Sequence, residues 1–178
     1  MNKKHKILIS ASIFLNIVLI LVVVMSVNQL NYVTNRTLIT NATDPLFKLH
    51  DTISKQENEN WSDLDFLSNE LEETSTSVAH ALTIGVTSKT IDKDDTAILL
   101  KLSIYFERYS YITNSEISPE TLEEMKLNLI RFNTLLTQQG FDNEGAFDWT
   151  KENYLKKLRT IVSGIEKAEG IIINWPDE

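Results

Sequence analysis

Histidines and carboxylates are the residues with which this chain could bind a metal ion. Two histidines, His50 and His80, follow the basic N-terminal tail. Neither has a glutamate three residues before it, so the paired Glu-x-x-His motif of helical di-iron sites is absent. Glu73 and His80 share a helical face two turns apart, but a pair of side chains is not a metal site. We expect no metal, and we keep His80 as a candidate contact for a ligand or partner.

Other catalytic and cofactor motifs are also missing from the sequence. The acidic turns that begin at residues 92 and 142 do not satisfy the pattern of a calcium loop, which needs acids at alternate positions, a glycine at the sixth position and a glutamate at the twelfth. There is no Gly-x-Ser-x-Gly or Ser-x-x-Lys motif, and five scattered glycines cannot build a phosphate loop. The chain contains no cysteine, which excludes disulfides and thiolate chemistry. We therefore expect neither a cofactor nor an enzyme.

Aromatic residues are concentrated between positions 105 and 111. Tyr105 and Tyr109 lie one helical turn apart, and Arg108 could stack on either ring. The segment indicates either a packed core with a cation–π contact or an aromatic ligand cleft between helices. Tyr105, Arg108 and Tyr109 are therefore candidate contact residues.

Apolar residues at helical spacing predict the elements that position these side chains. The predicted starts are Asp44-Pro45, Ser62, the acidic stretch 92–95, Ser118-Pro119, and either Asp148 or Thr150. Gly140 and Gly170 are predicted to end helices. The apolar stripe of the second helix is thin at Thr74 and Ser75, which predicts either a close helix neighbour or a polar pocket there.

The N-terminal segment contains the longest apolar run in the chain. Residues 7–27 carry no charge, and three lysines, Lys3, Lys4 and Lys6, precede them. A run of this length can cross a bilayer as a helix, with the lysines on the cytoplasmic side. A cleaved signal peptide and a buried soluble helix are the alternatives. Residues 28–43 are predicted to form a helical stalk or a flexible tether that ends at Asp44-Pro45, since the residue before proline disfavours the α conformation.

The charge of the remaining chain restricts its partners. Residues 28–178 contain 14 Lys and Arg against 25 Asp and Glu, a net charge of −11. Such a surface repels phosphate backbones, so no nucleic acid is expected as a partner. Basic proteins, basic peptides and divalent cations are better matched to it.

The C-terminal residues 171–175 form a short apolar tail that contains Trp175. The tail is expected either to dock against the helices or to form an exposed patch for a partner. Trp175 is the last candidate contact residue.

The predicted fold class is all-α, with an N-terminal transmembrane helix followed by an antiparallel four- to five-helix bundle. The predicted divisions are a cytoplasmic tail (1–6), a signal-anchor helix (7–27), a stalk (28–43) and an extracytoplasmic acidic bundle (44–178). Outer helical bundles of chemoreceptors and sensor kinases are loosely similar, at the level of fold alone.

The expected function is that of a single-pass, non-enzymatic protein of a bacterial cell membrane whose outer domain binds a protein partner. A sensor or carrier module for a small ligand is the alternative, and an envelope hydrolase is a weaker one. Cleavage of the apolar run would instead give a secreted protein.

Overall fold

The computed structural model of this chain describes residues 3–113, 118–143 and 150–169. In these residues the chain forms helices joined by turns. These residues contain no strand, so the all-helical prediction is confirmed. The helices are α1 (Lys3–Asn58), α2 (Leu64–Thr87), α3 (Lys93–Thr113), α4 (Pro119–Gln138) and α5 (Lys151–Glu169).

Helix α1 is 56 residues long and includes the apolar run. It is the one helix among the described residues that is long and apolar enough to cross a membrane, and it lies near the N-terminus. Large apolar side chains such as Leu15, Leu21 and Met25 are exposed along its first half. Its second half, from Leu38 onward, contributes buried side chains to the hydrophobic core.

The helix stop predicted at Asp44-Pro45 and the helix start predicted at the same place are both wrong, because α1 continues through Pro45 to Asn58. Proline inside a helix removes one backbone hydrogen bond and costs about 3 kcal/mol. Leu46 and Leu49, directly after the proline, are fully buried, and burial of each such side chain contributes roughly 1.5–3 kcal/mol. Packing on the core therefore outweighs the local preference. Residues 28–43 are helical, and the last of them already belong to the core.

The core draws on all five helices. Its centre is aromatic, with the ring centroids of Phe106 and Phe132 5.2 Å apart and those of Tyr105 and Phe132 5.6 Å apart. The predicted apolar stripes of α2 and α4 are the buried faces of those helices. The buried members are Leu67, Leu71, Val78, Ala81 and Gly85 on α2, and Met125, Leu129, Phe132 and Leu136 on α4.

Helices α2 and α3 approach closely along a row of small residues. The Ser75 hydroxyl donates to the Ser103 carbonyl at 2.9 Å, and the Ser103 hydroxyl donates to the Ser75 carbonyl at 3.2 Å. Seven residues earlier on α2, the Ser68 hydroxyl donates to the carbonyl of Ser110 at 3.1 Å. The two helices run in opposite directions, since a step back on α2 is a step forward on α3. The thin stripe of α2 is thus a site of close helix approach.

Capping residues mark the start of α2 and both ends of α4. The Ser118 hydroxyl accepts a hydrogen bond from the Thr121 amide at 3.2 Å, and Gly140 adopts a φ of 82° after α4, both as predicted. The predicted cap Ser62 is wrong by one residue: the Asp63 carboxylate accepts from the Phe66 amide at 3.0 Å.

Candidate functional site

A groove lies on the outer side of the contact between α2 and α3. Its volume is about 200 Å³. Two carboxylates, three hydroxyl side chains and one phenol line it, namely Glu72, Ser75, Thr76, Glu107, Ser110 and Tyr111. Both helices contribute to the lining, so the groove exists only in the folded domain.

The groove follows from the small residues between the helices. Ser75 and Ser110 are buried and form its floor, where larger side chains would hold the backbones apart. Glu72 and Thr76 lie one turn apart on α2, while Glu107 and Tyr111 lie one turn apart on α3. Each wall therefore carries one carboxylate.

The groove presents negatively charged groups together with hydroxyl groups. Its two carboxylates accept hydrogen bonds, and its floor hydroxyls add further polar atoms. The Tyr111 side chain is 68% exposed at the rim. A lysine or arginine side chain from another molecule could pair with Glu72 and Glu107 while contacting the Tyr111 ring.

The structure places Tyr105 and Tyr109 in the core, with 8% and 1% of their surfaces exposed. Their ring centroids are 4.7 Å apart in an edge-on arrangement. The side-chain amide of Asn128 donates to the Tyr109 hydroxyl at 2.9 Å, and the Tyr105 hydroxyl donates to the backbone carbonyl of Asn128 at 3.4 Å. The Arg108 guanidinium lies 5.7 Å from the Tyr109 ring centroid. This geometry is that of a packed core with a cation–π contact.

His80 is exposed on α2, one turn beyond Thr76 on the same face. It therefore extends the line of groove residues rather than joining the buried tyrosines. Trp175 and the apolar tail lie outside the described residues, so their predicted contacts remain predictions. Among the described residues, no group of three or more His, Asp or Glu side chains could hold a metal ion.

Sequence reasoning missed Glu72, Glu107 and Tyr111. The thin stripe of α2 did indicate a special position, and the aromatic segment contains both Glu107 and Tyr111. Their meeting depends on which helix packs against that stripe, and the sequence carries no local pattern for this choice.

A second polar groove lies along the side of α5. A groove of about 430 Å³ is lined by Leu135, Arg159, Thr160, Ser163, Gly164 and Lys167. The Arg159 guanidinium donates to the Asp95 carboxylate at 2.6 Å. This hydrogen bond, followed by the charge of Asp95, raises the pKa of Arg159. Arg159 thus serves mainly to join α5 to α3.

Comparison with known proteins gives no match to a family model, a curated protein or a solved structure. The groove between α2 and α3 must therefore be interpreted from its own residues. Two carboxylates on opposing helices, beside an exposed phenol, are its distinctive features.

Proposed function

We propose that this is a single-pass, non-enzymatic membrane protein whose acidic helical domain binds a basic segment of a protein partner outside the cytoplasm. The apolar half of α1 spans the membrane, and Lys3, Lys4 and Lys6 stay on the cytoplasmic side by the positive-inside rule. The remaining helices then lie on the outer face of a bacterial cell membrane.

The proposal includes an antiparallel bundle of α1 to α5. Contacts between α1 and α2 support it: Lys48 lies 3.0 Å from both Glu70 and Glu73, and these hydrogen bonds raise the pKa of Lys48. At the turn that joins the two helices, the Asp63 backbone amide donates to the Gln56 side chain at 3.1 Å. A step forward on α1 is therefore a step back on α2. Short connections between helices favour this arrangement throughout.

The observation that carries the proposed function is the acidic groove between α2 and α3. Glu72 and Glu107 come from two helices that the serine contacts hold together, so the backbone positions that carry the two carboxylates are fixed before a partner arrives. Preorganised groups lose less entropy on binding than mobile ones. The net charge of −11 on residues 28–178 would also speed the approach of a basic partner.

The size of the groove favours a partner side chain over a small ligand. Sites for drug-sized molecules usually enclose about 300–1,000 Å³. The 200 Å³ of this groove suits a single long side chain inserted from a larger surface. Arginine fits best, because its guanidinium pairs with carboxylates and stacks on aromatic rings.

Site-specific photo-crosslinking tests this function in living cells. A photoreactive amino acid replaces Thr76 at the groove, and crosslinked products are identified by mass spectrometry. We expect one protein product, which disappears when Glu72→Gln and Glu107→Gln are combined.

The matched control combines Glu123→Gln with Glu152→Gln. These exposed residues lie on α4 and α5, and the change in net charge is the same. Equal loss of the product in both double variants would show that overall charge, and not the groove, attracts the partner. Absence of any product from Thr76 in the parent chain would contradict the proposal.

A small anionic ligand at α5 is the second candidate function. The 430 Å³ groove falls within the usual range for small molecules, and Lys167 lies at its edge beside Ser163 and Thr160. Isothermal titration of the full chain with inorganic phosphate tests it. Heat that saturates and is lost in Lys167→Gln would support this candidate, and a flat titration would remove it.

A further inference from the structure

Asn16 is the one strongly polar side chain in the apolar run of α1. It follows Lys6 by ten residues and precedes Asn28 by twelve. At 1.5 Å per residue these distances are about 15 Å and 18 Å. In a bilayer with a hydrocarbon core of about 30 Å, the Asn16 amide would lie close to the midplane.

An isolated amide at that depth is unfavourable. The side chain has two N–H donors and an oxygen acceptor, and hydrocarbon supplies no partner for any of them. The surrounding backbone groups already bond to each other within α1. Polar residues inside a membrane consequently face another protein surface or water more often than lipid.

The face of α1 that carries Asn16 forms a heptad-like seam. Moving outward from Asn16 by four, three, four and three residues reaches Ile20, Val23, Val27 and Leu30. All four are exposed, from 50% for Val27 to 66% for Leu30. This alternation is the spacing with which two helices pack along a shared seam.

The seam stays apolar beyond the end of the uncharged run. Asn28 and Gln29 introduce polar groups after Val27, but helical geometry places them on the side of α1 away from Asn16. Leu30 continues the seam on Asn16's side.

We propose that two copies of this chain associate in parallel through this seam, with the two Asn16 amides hydrogen-bonded to each other. The inference rests on α1 spanning the membrane, as proposed above. In a twofold symmetric pair, each residue near the axis meets its own copy. A parallel copy therefore brings a second amide to the same depth, and an amide can both donate and accept.

Charge and burial in the outer domains restrict where two copies can meet. The outer domains supply no attraction through charge, because each carries the net charge of −11. From Leu38 onward α1 also buries side chains in its own domain core. The contact between copies is therefore expected to lie in and just above the membrane.

Disulfide scanning of the full chain, purified and reconstituted into liposomes, tests the proposal. The chain has no native cysteine, so every disulfide must form at an introduced cysteine. Single cysteines replace each residue from Val27 to Val33 in turn, followed by mild oxidation. We expect the covalent dimer to be most abundant for Val27→Cys and Leu30→Cys and scarce for Gln29→Cys.

Combining Leu30→Cys with Asn16→Val should then lower dimer association about 3- to 20-fold, the range measured for hydrogen bonds between membrane helices. Asn16→Gln should preserve it, and Asn28→Val is the matched control for loss of an asparagine outside the seam. The amount of protein in the liposomes verifies insertion for each variant.

Equal crosslinking at all positions, or no effect of Asn16→Val, would overturn the proposal. Crosslinking to a different protein in cells, with no dimer in pure liposomes, would overturn the choice of a second copy. Partner binding at Glu72 and Glu107 is measured separately, so either proposal can fail alone.

Discussion

The two halves of α1 have the same secondary structure and opposite surroundings. Between residues 12 and 33 the helix contacts none of the core, and its Leu, Ile and Val side chains are exposed. Between residues 38 and 58 it contributes Leu38, Leu46, Leu49 and Ile53 to the core, all fully buried. The first half has an apolar surface that the domain does not cover, whereas the second half packs against the domain core.

This difference shows that the pattern of polar residues, and not helix propensity, decides where a segment of α1 belongs. The first half is apolar on nearly every face, which suits lipid. The second half places Lys48, Asp51 and Lys55 among its apolar residues, and all three are exposed. Its apolar stripe is consequently limited to the side that packs on α2 and α4.

The largest expected effect comes from charging the first half. Combining Leu19→Arg with Val22→Arg should remove the protein from the membrane, since each arginine costs about 2.5–3.5 kcal/mol at the centre of a spanning helix. Extraction with alkaline carbonate measures this. The control combines Leu19→Ile with Val22→Ile. Retention of the arginine variant in the membrane pellet would contradict a lipid environment for this half.

Truncating one leucine in each half should separate their roles in stability. Leu49→Ala is expected to lower the free energy of unfolding of the domain by about 2–5 kcal/mol, because it leaves a cavity in the core. Leu21 is exposed, so Leu21→Ala should change the free energy of unfolding by less than about 0.5 kcal/mol. Urea unfolding in detergent, followed by tryptophan fluorescence, measures both. Similar losses of stability in Leu49→Ala and Leu21→Ala would contradict the different roles of the two halves of α1.

Pro45 lies inside the second half and tests how strongly packing controls the helix. Pro45→Ala restores a backbone N–H and relieves a clash with the preceding turn, so stability should rise by about 1–3 kcal/mol. The same urea unfolding measures it. A fall in stability would mean that a bend at Pro45 is needed to seat Leu46 and Leu49.

The smallest effect concerns the turn after α1. Asp63→Ala should cost about 1 kcal/mol through loss of its bond to the Phe66 amide, while Ser62→Ala should stay within about 0.5 kcal/mol. Thermal unfolding of the two variants compares them. A larger loss of stability in Ser62→Ala than in Asp63→Ala would show that Ser62, and not Asp63, caps α2.

Local patterns were sufficient to predict much of the fold. Ser118-Pro119 and Gly140 mark the ends of α4 because capping depends on residues within one turn. The apolar stripes of α2 and α4 predict their buried faces for the same reason. The helix stop predicted at Pro45 failed because packing of Leu46 and Leu49 against residues distant in sequence overrode a local rule.

The candidate site could be predicted only in outline. Thr74 and Ser75 on α2 predicted either a close helix neighbour or a polar pocket, but not that α3 would be the neighbour. The ion pair of Asp95 with Arg159 joins residues 64 positions apart, and no spacing in the sequence predicts it. Glu72 and Glu107 share a groove through that same kind of long-range packing.

Continuity of α1 between its two halves is the central claim, and one distance tests it most directly. Spin labels on Asn28→Cys and Asp51→Cys, both exposed, report across the junction in nanodiscs when labelled chains are diluted with unlabelled ones. A continuous helix predicts a narrow distribution centred near 35 Å, from 23 residues at about 1.5 Å each. A broad distribution at shorter distances would contradict it and show that a flexible tether joins the membrane segment to the domain.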